Sequence, residues 1–381
     1  MSHEGKAITG SAALLHEFGA DAKFSIEQVV IDPPKGPEVR VKMHTAGLCH
    51  TDEHLRAGDY NLPWAPCLGG HEGAGVVVDV GPDVRSVGPG DHVVMTFIPS
   101  CGRCPECVRG RSAMCELGTH LFTGVSIHDQ TNRIHWRGKG VGQALQVGTF
   151  AEYTVVHENS VIRIDPDLPL ETAALVGCCV TTGIGAATYT TQTMPGDVAV
   201  VVGVGGIGMN AVQGFSIAGA LHIVAVDPVG WKRNRAREVF GATHAVASMG
   251  EARELVSSLT RDRMADTVVY SVSNGVGEDI EQAMSILGKR GTMVYVSVAD
   301  SKARDAKLDM FTLLHLEQRL VGSLFGSANP RFDIPRVLSL YRNDQVKLEE
   351  LVTTRYTLDE INDGYDDLLA GKNIRGVISF D

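Results

Sequence analysis

At 381 residues the chain exceeds the roughly 250–300 residues at which a single core stops growing, so two domains are expected. Its 34 basic and 45 acidic residues leave a formal net charge of -11, which argues against a general binder of nucleic acid or of anionic membranes. The stretch Met1–Leu15 lacks the pattern of a secretory signal, and the most apolar run, 198–212, is broken by Gly203, Gly205, Gly206 and Gly208, so neither a signal nor a membrane span is expected and a cytoplasmic location is.

In chain order, the first part reads as β. Glu38–His44 and Gly75–Val80 are apolar or alternating runs between Gly-Pro turns, as expected of a distorted barrel or sandwich. Near Thr172 the texture changes to alternating strands and helices. Val198–Val202 is a β-branched run of the kind buried on both faces of a sheet. A helix over Gly208–Ala218, a strand His222–Val226, a helix over Lys232–Phe240 and strands Thr267–Tyr270 and Thr292–Val298 follow, in the βαβ rhythm of a doubly wound parallel sheet. After Phe325 the pattern is broken by Asn329, Pro330 and Pro335. A helix is expected over Ile334–Tyr341 and a last strand over Val377–Phe380.

Three motifs carry chemistry. Gly203-Val204-Gly205-Gly206-Ile207-Gly208 fits GxGxxG between a strand and a helix, and Asp227 ends the next strand about 20 residues on, the dinucleotide fingerprint. Asp227 suits ribose hydroxyls and repels a 2′-phosphate, and no arginine stands among the next two residues, Pro228 and Val229, so NAD is favoured over NADP. Cys101, Cys104, Cys107 and Cys115 offer four thiolates at the spacing of a closed, structural zinc site. A dispersed set, Cys49, His71 and one of Cys178 or Cys179, would leave a zinc ion one open position for catalysis.

The segments GLCHTDEH, GGHEGAG, CGRCPECVRGRSAMC, TFAEYTVV, VGCCVTTGIG, GVGGIG and NIRGVISF together resemble the zinc-dependent medium-chain alcohol dehydrogenases, in the family order and over essentially the whole chain. The stretch Leu121–Phe150 is similar to the longer, liver-type branch. GSANPR, ASMGEARELV and YDDLLAGKNIRGV resemble the actinobacterial nicotinoproteins, which retain their NAD and pass electrons to an external acceptor. The resemblance implies an α/β protein of two domains: a GroES-like β-rich catalytic domain over residues 1–178, with a structural zinc lobe at 97–118, and a Rossmann domain over 179–324. The chain then returns to the catalytic domain over 325–381. It further implies two zinc ions per chain, NAD, an alcohol or aldehyde substrate and a homo-oligomer.

Residue by residue, the resemblance assigns the catalytic zinc to Cys49, His71 and Cys178, with Cys179 standing where glycine is common and Cys67 read as packing. It assigns proton relay to Thr51 and His54, support of the histidine ligand to Asp52, and a place behind the zinc to Glu72. His50 and Arg375 fall to the pyrophosphate, Arg375 also lying near Glu72, Lys232 to the adenosine ribose, and Phe97 and Thr182 to the lining of the substrate or nicotinamide site. A glutathione-dependent formaldehyde dehydrogenase and an alcohol dehydrogenase that exchanges its NAD freely share nearly all these motifs. A dinucleotide-binding sensor that lost its chemistry is a third reading, against which the retained ligand and relay residues argue.

Overall fold

The computed structural model describes residues 5–60 and 64–380; the first four residues of the stretch read for a signal lie outside them. The chain divides into two compact units. One comprises Met1–Cys178, Asn329–Leu340 and Leu351–Asp381, and the other Cys179–Ala328 and Tyr341–Glu350. The return expected at 325 therefore begins at 329, and 341–350 rejoins the second unit. That rejoining has a local cause: the Gln213 carboxamide accepts from Lys347 N–H at 2.6 Å and donates to its carbonyl at 3.1 Å, and Arg235 donates to the Glu350 carbonyl at 2.7 Å.

The first unit contains a closed barrel of Ile8–Leu15, Ser25–Ile31, Ile134–Trp136, Lys139–Gln143 and Cys67–Leu68. Two of its staves come from the 121–150 stretch, so that stretch completes the barrel rather than decorating it. Its anchor is a buried ion pair. Arg133 Nε donates to Glu38 Oε2 at 2.6 Å and Arg133 Nη2 to Asp129 Oδ2 at 2.8 Å.

Beside the barrel lies a sheet organised on one long strand, Glu38–Gly47. One edge pairs antiparallel with Glu72–Val80. The other pairs with Tyr153–His157 along its first half and with Arg375–Ser379 along its last residues. The register sets Gly47 opposite both Glu72 and Val377, which brings the amino-terminal end of the last strand to the amino-terminal end of Glu72–Val80.

Among the described residues the second unit holds one six-stranded parallel sheet. Its order is His244–Val246, His222–Val226, Val198–Val202, Ala265–Tyr270, Leu287–Tyr295, Arg319–Gly322. Counted along the chain this is 3-2-1-4-5-6, the doubly wound order whose ligand crevice opens beside strand 1. Val198–Val202 is central and buried throughout, and its valines each contribute about 1.5–3 kcal/mol of apolar burial. The strand expected at Thr292–Val298 is Leu287–Tyr295 instead. The helix expected from Ile334 runs over Pro330–Arg342, because Pro330 occupies a first-turn position where no N–H bond is lost, and Asn329 Oδ1 accepts from Arg331 N–H at 3.2 Å. No single helix among the described residues is long and apolar enough to cross a membrane.

Candidate functional site

Three turns of the first unit converge. Cys49 precedes the helix His50–Ala57 in an extended conformation, placing its sulfur at a helix amino terminus that favours thiolate. His71 stands just before the strand Glu72–Val80. Cys178 ends the 3₁₀ turn Ala174–Gly177, and a Cβ at Gly177 would collide with the Met95 carbonyl, so a glycine there lets the turn lie on the strand His92–Met95. One donor atom each from Cys49, His71, Glu72 and Cys178 lies within 4.8 Å of the others, all buried. Of the adjacent pair Cys178 and Cys179, it is the Cys178 sulfur that joins this group; Cys179 opens the next helix, Cys179–Gly185, fully buried.

The donor chemistry fits zinc. His71 Nε2 and Cys178 Sγ are 3.3 Å apart, close to the roughly 3.6 Å edge of a tetrahedral site with the usual Zn–N and Zn–S bonds. The ring is oriented from behind: Nδ1 meets Asp52 Oδ2 at 2.8 Å, and Asp52 Oδ1 accepts from Gly70 N–H at 2.9 Å. With Nδ1–H donated to Asp52, Nε2 is the nitrogen left to ligate a metal, which would take the place of its proton. The hydrogen bond with Cys178 and the charge of His71 hold Cys49 well below the usual thiol range in spite of its burial. Burial pushes His71 down, but Asp52 and Cys49 outweigh it and hold it well above the usual imidazole range.

Glu72 and Arg375 close the inner wall. Arg375 donates to Glu72 Oε2 across Gly47, where any Cβ would collide with the Glu72 carboxylate. Burial still pushes Glu72 up to about 7 against the Arg375 charge, and its Oε1 has no hydrogen-bond partner among the described residues. A buried, unpartnered carboxylate oxygen beside two thiols and an imidazole is what a cation in this place would compensate. Phe97 sets its ring perpendicular to His71, with centroids 5.4 Å apart.

On the helix His50–Ala57, Thr51 and His54 stand at i and i+3 and so share one face. Thr51 and His50 are half-buried, and His54 and Asp52 are buried. His54 Nδ1 is 2.5 Å from Asp59 Oδ2. The sequence reading missed Asp59; its signal was Gly58, a helix-stop glycine that turns the chain back. Tyr60 was also missed. Its phenol is pushed up by burial and by the charges of Cys49 and Asp52, and its ring meets Phe122 at 5.3 Å.

The four-cysteine lobe is a second metal-ready cluster. Sulfurs bound at about 2.3 Å around one ion lie about 3.8 Å apart. Here Cys101 and Cys107 are 3.9 Å apart and Cys104 and Cys115 4.0 Å, with all four donors within 4.8 Å and none in a disulfide. Backbone N–H groups of Cys104, Cys107 and Cys101 point at sulfurs of Cys101, Cys104 and Cys115 at 3.4–3.5 Å. N–H groups draw Cys104 down to about 6, while burial pushes Cys115 up to about 12. Only a cation lets all four ionise together.

In the second unit the glycine loop enters the helix Gly206–Ala218. Gly203 has φ +85°, and a Cβ at Gly208 would collide with the Gly203 carbonyl, so both glycines serve the turn itself. At Gly205 a Cβ would meet no protein atom within 4 Å, leaving open space at a helix amino terminus, where a pyrophosphate binds. Gly206 and Ile207 form the first turn. Asp227 Oδ2 accepts from Val204 N–H at 3.0 Å and Oδ1 from Val229 N–H at 2.8 Å, and each oxygen keeps a second lone pair for a ribose hydroxyl. Lys232 is half-buried, drawn down by desolvation against the Asp227 charge. Thr182 is buried in the helix Cys179–Gly185. An arginine does stand near Asp227: Arg233, one turn into the next helix, bends back to donate to the Asp227 and Pro228 carbonyls at 2.7 and 2.9 Å.

The alcohol dehydrogenase GroES-like domain model matches residues 35–166 and the zinc-binding dehydrogenase model residues 206–343. The NDMA-dependent alcohol dehydrogenase of Amycolatopsis methanolica is 47% identical, over 96% of this chain and 98% of that one. Alcohol dehydrogenase B of Mycobacterium tuberculosis is 44% identical, over 97% of each. The crystal structure of an alcohol dehydrogenase zinc-binding domain protein from Burkholderia ambifaria superposes with a TM-score of 0.91 at 32% identity, covering 99% of this chain and 100% of that one.

Proposed function

Since the chain belongs to the zinc-dependent alcohol dehydrogenases, an oxidoreductase family that acts on small alcohols with a nicotinamide dinucleotide, we propose specific roles for its residues. Cys49, His71 and Cys178 hold the catalytic zinc, and Cys101, Cys104, Cys107 and Cys115 the structural one. The observation that carries this reading is the pair of donor clusters, each within 4.8 Å and each matching a tetrahedral edge. Bound in place, zinc would supply Lewis-acid stabilisation of negative charge and the nicotinamide a hydride acceptor. The protein's own groups do the rest. Asp52 fixes the His71 tautomer, Glu72 and Arg375 balance charge behind the ligands, Phe97 walls the site, and Thr51 and His54 carry the alcohol proton outward.

In the second unit Gly203, Gly205, Gly206, Ile207 and Gly208 cradle the pyrophosphate. Asp227 and Lys232 hold the adenosine ribose, selecting NAD, while His50, Arg375 and Thr182 complete the cofactor contacts. We further propose retention of NAD as in a nicotinoprotein, with an external electron acceptor; the 47% identity to a relative named for dependence on NDMA supports this. The enzyme is read as cytoplasmic, where its eight cysteines, most of them clustered as metal ligands rather than as a disulfide framework, stay reduced. It is also read as a homo-oligomer joined through the second unit. There the strand Arg319–Gly322 ends the sheet, and Leu320 together with Met310, Phe311 and Leu314 of a neighbouring helix lies exposed.

The test is to denature the purified protein and assay released dinucleotide. About one NAD per chain, with turnover on an artificial acceptor and little on added NAD, supports retention. An empty protein that turns over with free NAD overturns it, and strict dependence on glutathione with formaldehyde would reassign the substrate.

A further inference from the structure

The helix His50–Ala57 ends on Gly58, whose left-handed backbone (φ 86°) lets its N–H bond to the His54 and Leu55 carbonyls. Asp59 N–H then bonds to the His54 carbonyl at 3.0 Å. This reversal lays the Asp59 carboxylate on the His54 imidazole, with Nδ1 and Oδ2 2.5 Å apart, in direct hydrogen-bond contact. The exposures differ: the imidazole is 7% exposed and the carboxylate 33%. Glu53 and Arg56, the other charges of this helix end, are committed to each other in a two-bond pair at 2.6 and 2.7 Å.

We propose that Asp59 is a positioning residue for proton release, acting through His54. It accepts the Nδ1–H, which fixes the tautomer whose Nε2 receives the proton given up by the alcohol. The imidazolium so formed would be a nearly buried cation, costly without a partner, and Asp59 neutralises it. The pair then gives up one proton to solvent and returns to neutral His54 with Nδ1–H donated to Asp59, so one proton enters the pair, one leaves it, and Nε2 is bare again. This inference rests on the reading of His54 as a relay.

The experiment compares Asp59→Asn, Asp59→Glu, His54→Gln and the double variant Asp59→Asn/His54→Gln, all as zinc- and dinucleotide-loaded protein. Turnover is measured with and without added imidazole buffer. Asp59→Asn is expected to lower kcat about tenfold with KM unchanged, short of the roughly 10²-fold or more assigned to a general acid–base group itself. Asp59→Glu should recover most of the loss, imidazole should restore turnover, and the double variant should be no slower than His54→Gln. A slow His54→Gln beside an unimpaired Asp59→Asn overturns the role of Asp59 alone. An unimpaired His54→Gln overturns the relay reading on which it rests. Loss in Asp59→Asn that follows zinc content or Tm and resists imidazole makes Asp59 a helix stop only, which also overturns the proposal.

Discussion

Asp52→Asn tests the zinc assignment at a residue that is not itself a ligand. Both oxygens of the Asp52 carboxylate face buried donors: Nδ1–H of His71 at 2.8 Å and N–H of Gly70 at 2.9 Å, with the two side chains 1% exposed. Asparagine offers one acceptor where two are needed. Turned one way, its amide NH₂ opposes Gly70 N–H, donor against donor. Turned the other way, it faces His71 Nδ1, which must then lose its hydrogen, so Nε2 carries the proton and cannot bind metal. Either a buried donor goes unpaired, at about 1–3 kcal/mol, or the ligand is disabled. Loss of a carboxylate behind a ligating histidine typically costs about 10–100-fold in metal affinity, or roughly 1.4–2.7 kcal/mol. Both routes give about 2 kcal/mol. Chelator competition on the purified variant, with zinc content and turnover read on the same samples, should show one zinc lost at about 10–100-fold lower chelator while the four-cysteine zinc stays. An Asp52→Asn protein that holds both zinc ions as tightly as wild type and turns over normally would refute the reasoning.

Cys49→Ser should abolish turnover with the circular dichroism spectrum and Tm nearly unchanged, whereas Cys104→Ser should release the other zinc and lower Tm, checked by metal analysis beside calorimetry. Gly205→Ala and Gly208→Ala should separate binding from folding. The first Cβ meets no protein atom, so Tm should hold while dinucleotide content falls; the second strikes the Gly203 carbonyl, so both should fall. Arg133→Ala leaves Glu38 buried without its cation and should cost about 3–5 kcal/mol in denaturant unfolding. Acid should loosen the same anchor. Burial opposes ionisation of Asp129, but Arg133 and Thr131 outweigh it and hold the carboxyl down to about 2, below its ordinary 3.8. Its contribution is therefore full above about pH 3.8 and fades as the pH falls through 2, readable as a shallower acid limb of the stability curve in Asp129→Asn.

What the chain displayed openly was local. Cys101 to Cys115 lie within one short lobe, and the glycine loop, its helix and Asp227 follow one another through a single βαβ unit, so spacing alone carried the chemistry. The dispersed zinc set was a different problem, because Cys49, His71 and Cys178 meet through strand register and through a turn at Gly177 seated on another strand's carbonyl. Nothing in the dipeptide Cys178-Cys179 distinguishes its two sulfurs. The backbone does: Cys178 leaves the 3₁₀ turn at φ -145° and ψ -84°, and Cys179 is already helical. The same rule accounts for the residues that were overlooked. The Glu38–Arg133 pair joins positions 95 apart; the contact of Arg375 with Glu72, expected from the resemblance alone, likewise forms only because two strands flank the same glycine, Gly47. Arg233 escaped because a search confined to the two residues after Asp227 cannot see a side chain that folds back from the next helix turn. Asp59 is the instructive exception, being five residues from His54 and following a glycine that stops a helix. A sequence reading that asks where the chain goes after the stop, rather than only where the helix ends, brings that carboxylate back to the histidine, because a left-handed turn after the last helical residue returns the next side chain along the same face.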